Sequence, residues 1–62
     1  MSDYVIVATD DEGKEVALLE SAETAKHYYR LNKTDHCILE RGHSVTINTA
    51  NGNEVTLTPY RR

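Results

Sequence analysis

Apolar residues recur along this chain with two different periods, and the change of period divides it into elements. Tyr4–Thr9 (YVIVAT) is rich in β-branched residues and reads as a strand. Asp10-Asp11-Glu12-Gly13 reads as a turn closed by Gly13 at positive φ, and Glu15–Leu19 as the return strand. Pairing Val7 with Val16 and Val5 with Leu18 keeps apolar pairs on one face and leaves a four-residue loop. Tyr4, Ile6, Ala8, Ala17 and Leu19 point the other way, so both faces of this hairpin are apolar.

The period then lengthens. Ser21 is a good N-cap for a helix over Ala22–Lys33, with Glu23 in its first turn and Lys33 in its last. At about 100° per residue, Ala22, Ala25, Tyr28 and Tyr29 form an inward stripe. Glu23, Lys26, His27, Arg30 and Lys33 fall on the outward side. After Thr34 and Asp35, three short strands are expected: His36–Glu40, Ser44–Thr49 and Glu54–Thr58. Asn51-Gly52 is the usual signature of a two-residue hairpin turn, but that register opposes Ile47 to Thr56. A three-residue loop, Ala50-Asn51-Gly52 with Gly52 left-handed, instead opposes Ile47 to Val55 and Val45 to Leu57. The Arg41-Gly42 turn accommodates either two or three residues. Pro59 is expected to end the last strand and leave Tyr60-Arg61-Arg62 as a tail.

The expected architecture is a single α+β domain over residues 1–62, an antiparallel sheet of about five strands (β-β-α-β-β-β) with one helix packed on one face. One helix covers one face only. The second apolar face of the first hairpin therefore needs chain ends, long side chains or a partner to cover it.

Composition narrows the function. A chain of 62 residues buries only about 60% of its unfolded surface, which favours a shallow binding face over a deep pocket. Cys37 is the only cysteine and cannot close an internal disulfide, and residues 1–25 show no apolar run flanked by bases. The expected compartment is the cytoplasm, of a bacterium or of an infected host cell, and no stretch is apolar enough to span a membrane. Residues 1–25 carry seven acids against Lys14, while residues 26–62 carry six bases against Asp35, Glu40 and Glu54. The net charge of −3 thus conceals a dipolar molecule.

Candidate chemistry is sparse. His36 and Cys37 would point to opposite faces of a strand, His43 stands apart, and a fourth ligand at zinc spacing is missing, so neither a metal nor another cofactor is expected. Asp10 and Asp11 lie in a solvated turn and cannot be tuned as acid and base. Cys37 is expected to be buried and inert, and the three glycines stand alone. No catalytic residue is therefore assigned. Partner contact is assigned to the basic helix ridge of Lys26, Arg30 and Lys33, and to Tyr60, Arg61 and Arg62, whose composition is that of an interface hot spot.

Ser21-x-x-x-Ala25-Lys26 and Gly42-x4-Ile47-x-Thr49-x-Asn51-Gly52 resemble small phage-encoded anti-CRISPR proteins of the type I class. In particular they resemble type I-F inhibitors with an N-terminal strand, one helix and a terminal meander. The likeness covers about half the chain, which differs in its short acidic first turn and its lack of tryptophan. The resemblance implies a non-enzymatic protein that docks on a host CRISPR surveillance complex and blocks recognition of target DNA, with Lys26 at a basic position of the docking helix. Two other functions are open on the residues alone. One is a small nucleic-acid-binding protein using the same ridge with Arg61 and Arg62. The other is a homodimeric module joined through the second apolar face around Tyr4 and Ile6.

Overall fold

The elements follow in the order β1 (Tyr4–Thr9), β2 (Glu15–Leu19), α1 (Ala22–Tyr29), α2 (Lys33–Glu40), β3 (Val45–Asn48) and β4 (Glu54–Arg61). The computed structural model describes residues 4–61. All strand pairs are antiparallel, in the order β2-β1-β4-β3. Both helices lie on one face: α1 over the β1–β2 hairpin, α2 over β3–β4. The α+β class matches the sequence reading, but there are four strands and two helices rather than about five and one.

The difference arises at Arg30. Had the helix continued, Leu31 would stand about 180° from Ala22, facing solvent. Instead α1 stops at Tyr29, Arg30 turns left-handed (φ 53°, ψ 49°), and Leu31 enters the core. Asn32 then caps a second helix, its Oδ1 accepting from the Asp35 N–H at 2.8 Å. Residues 36–40, expected as a strand, form the body of this helix. Adjacent Ile38 and Leu39 both pack inward, which a helix allows and strand alternation forbids.

The last hairpin has the expected register, Val45 with Leu57 and Ile47 with Val55, and Gly52 is left-handed at φ 81°. In the first hairpin Val7 pairs with Leu18 rather than Val16. Asp10 sets this register: its Oδ1 accepts from the Glu12 and Lys14 N–H groups, and its own N–H donates to the Lys14 carbonyl. The extra length is absorbed by an irregularity between Ala8 and Thr9. A shift of two preserves side-chain parity from Ala17 to Leu19, so the predicted division of faces stands there; Val16, at the irregularity, lines a groove with Tyr28 and Tyr29 on the helix side instead.

Strand β4 runs through Pro59 to Arg61, three residues beyond the expected end at Thr58. β3 reaches only as far as Leu57, so no ladder on that side needs an N–H at Pro59. Tyr60 and Arg61 are thereby strand residues, paired with Val5 and Tyr4. Arg62 lies outside the described residues.

Pairing of β1 with β4 decides which face is covered. Ala8 opposes Leu57, placing Ile6 and Ala8 in one layer with Leu57 and its neighbours Val45 and Val55. Ile6, Ala8, Leu39 and Leu57 are fully buried, joined by Leu19, Ala22, Ala25 and Leu31. The face around Tyr4 and Ile6 is therefore the core and not a dimer surface. The uncovered face is the opposite one.

Candidate interaction surfaces

The helix–helix corner gathers three of the assigned residues. The Lys26 carbonyl accepts from both the Arg30 and Leu31 N–H groups, so the end of α1 folds back over Lys26. Lys33 opens α2 three residues after Arg30. Lys26 is half-buried, whereas Arg30 and Lys33 are exposed. They lie around a turn between two short helices, not along one ridge.

Both helices close with an N–H that reaches back five residues from just beyond a left-handed residue. At the end of α2 the His43 N–H reaches the Ile38 carbonyl and the Gly42 N–H reaches Leu39, with Gly42 at φ 88°. At the end of α1 the Leu31 N–H reaches Lys26, and the left-handed position is held by Arg30. Arg30 is the only non-glycine residue at positive φ among those described. Its Cβ makes that conformation cost on the order of 1–2 kcal/mol.

Tyr28 and Tyr29 were expected in the core. Tyr29 is half-buried, and burial, then neighbouring Tyr28, holds its phenol above the ordinary value. Tyr28 is 66% exposed and meets Tyr29 edge to face, ring centroids 4.8 Å apart. With α1 cut short, alanines fill the inward stripe and Tyr28 is left outside it. Both rings line an open groove of about 450 Å³ shared with Asp10, Asp11, Thr49 and Glu54.

The second surface is the uncovered face of the sheet, and its two halves differ. On β3 and β4 it is hydroxylic: Ser44 donates to Thr58 Oγ1 at 3.4 Å, and Thr46 meets Thr56 at 3.2 Å. That is the polar exterior expected of a solvated antiparallel sheet. On β1 and β2 it is Val5, Val7 and Leu18, with Leu18 63% exposed. Tyr60, 54% exposed and paired with Val5, extends this patch onto β4. Tyr60 and Arg61 thus belong to the sheet, apart from the helix corner, and Arg61 is exposed at its end.

Cys37, expected to be buried, is exposed on α2 beside a shallow cleft with Lys33, Ile38 and Arg41. His36 is tied to Glu40 (Nδ1 to Oε1, 3.3 Å), one helical turn away. Among the described residues no three His, Cys, Asp or Glu side chains gather as a metal set, and no helix is long and apolar enough to cross a membrane. Ser21 and Ala25, which carry part of the anti-CRISPR resemblance, have structural roles here. Ser21 Oγ accepts from the Thr24 N–H, and Ala25 is wholly buried. No family model, curated protein or solved structure matches this chain.

Proposed function

We propose that this chain is a non-catalytic binding protein, a phage-type inhibitor that docks on a host protein complex through the basic helix corner. The observation that carries this is Arg30. The fold needs a left-handed residue there and uses glycine at the equivalent place in α2. Arginine adds backbone strain and gives the core nothing, since its side chain is exposed. Its guanidinium, flanked by Lys26 and Lys33, is available for a partner. Arg30 and nearby Tyr28 are residue types that dominate interface energetics. The partner chemistry is an acidic or phosphate-bearing surface, and the resemblance makes a type I CRISPR surveillance complex the first to try.

The test is co-elution with a purified type I surveillance complex and, separately, with duplex DNA. Reversing Lys26, Arg30 and Lys33 to glutamate should abolish co-elution with the complex while far-UV circular dichroism is unchanged. Arg30→Gly should weaken binding and stabilise the fold. Undiminished binding by the triple variant overturns the assignment. Retention on DNA alone, falling steeply with salt, would replace it with nucleic-acid binding.

A further inference from the structure

We infer that the groove beside Tyr28 and Tyr29 binds an arginine side chain presented by a partner polypeptide. The inference does not rest on docking through the helix corner, which takes the opposite charge. At about 450 Å³ the groove falls within the usual range for a ligand pocket, roughly 300–1,000 Å³. Its walls come from separate parts of the chain: the β1–β2 turn, the end of α1 and the β3–β4 turn.

Apolar surface is left open in it. Val16, at the irregularity in the β1–β2 pairing, is 52% exposed and lines the groove on the helix side. Tyr28 is 66% exposed and meets Tyr29 edge to face. Such a contact uses only one ring face of the pair, so aromatic surface remains for a ligand.

Three carboxylates stand around these groups, Asp10, Asp11 and Glu54, and no lysine or arginine lines the groove. Asp10 is engaged in its turn, where its Oδ1 accepts from two N–H groups. Asp11 and Glu54 are exposed, and neither joins an ion pair among the described residues. Arg30 borders an adjoining hollow with Asn48 and Ala50 instead. A groove lined by acids and aromatic rings, with no base among them, selects a cation.

Geometry selects which cation. Among the described residues no three His, Cys, Asp or Glu side chains gather closely enough to hold a metal ion. The negative charge is spread along the groove, which suits an extended group. A quaternary ammonium has no N–H to give to a carboxylate, and a lysine ammonium is compact and strongly hydrated. A guanidinium stacks flat on tyrosine and offers its N–H groups in a fork that fits a carboxylate. The aliphatic stem behind it covers apolar surface of the kind Val16 leaves open. Arginine is the one protein side chain that answers the rings, the carboxylates and the valine together.

Amide NMR titration of the intact chain tests this. The probe is a blocked tripeptide with arginine at its centre, beside counterparts carrying lysine or uncharged citrulline. The arginine peptide should shift the amides of Tyr28, Thr49 and Glu54 with a dissociation constant of about 1 mM. The lysine peptide should bind at least about threefold more weakly, and the citrulline peptide should produce no shifts. Asp11→Asn combined with Glu54→Gln should weaken arginine binding at least about fivefold. Tyr28→Ala should weaken it about two- to fivefold. All three positions are exposed, and unchanged amide positions away from the groove verify that the variants fold. Reversing Lys26, Arg30 and Lys33 should leave this binding intact; its loss there would place the contact at the corner and overturn the proposal. So would an absence of shifts at about 10 mM peptide. Equal binding of the citrulline peptide, or indifference to the Asp11 and Glu54 changes, overturns it as well. Equal binding of the lysine peptide overturns the assignment to arginine.

Discussion

The two helices are built to one plan and differ in what fills it. Each is eight residues long, starts at a side-chain cap (Ser21, Asn32) and ends with a left-handed residue beneath a returning N–H. The buried residues of α1 are Ala22 and Ala25, and that of α2 is Leu39. At the closing residue α2 has Gly42 and α1 has Arg30. Where two sites share a backbone requirement, the residue that meets it poorly is the one whose side chain needs another explanation.

The sharpest way to break the pairing is Leu39→Ala. It removes the wholly buried side chain under α2 and should cost about 2–5 kcal/mol. That is a large share of the roughly 3–9 kcal/mol available to a domain of this size. Urea denaturation would show the midpoint falling severely or the transition disappearing.

Gly42→Ala comes next. A Cβ there would sit 2.9 Å from the Tyr4 hydroxyl at a φ of 88°. A loss of about 1–3 kcal/mol in the same experiment is expected. A neutral result would mean that the closing position of α2 does not demand glycine, and the contrast with Arg30 would lapse.

Arg30→Gly should have the smallest effect and the opposite sign. Relief of the left-handed Cβ outweighs the added freedom of the unfolded chain, leaving a gain of about 0.5–1 kcal/mol. Differential scanning calorimetry should show the midpoint rising. A destabilised variant would mean that the Arg30 side chain serves the fold, removing the main support for its role in docking.

Much of the fold is legible in the sequence where patterning is local. The β1–β2 hairpin, the Ser21 cap and the Ala50-Asn51-Gly52 loop follow from alternation, capping and turn chemistry over a few residues. The second helix is not legible by the same means, because Lys33–Glu40 includes Thr34, Cys37 and Ile38, residues that suit a strand as well. One signal was present: Asn32-x-x-Asp35 is a helix start, hidden by reading Lys33 as the end of the preceding helix. Which face of the first hairpin is inside could not be read at all. That depends on Ala8 meeting Leu57, nearly fifty residues away, a register that no local window contains. For the candidate sites, charge identified Lys26, Arg30 and Lys33, but their meeting at a corner required the helix to break. The apolar outer patch was seen in outline and assigned to the wrong side.

The pairing of β1 with β4 has a consequence for how the protein is made. These two strands are neighbours at the middle of the sheet, so neither half can be joined to the other until residues 54–61 are present. On the ribosome, the β1–β2 hairpin with its helix would wait, apolar on both faces, until residues 54–61 have emerged. Loss of β4 would leave β1 and β3 without the strand they share, and quality-control proteases should meet this chain chiefly in the interval before that strand arrives.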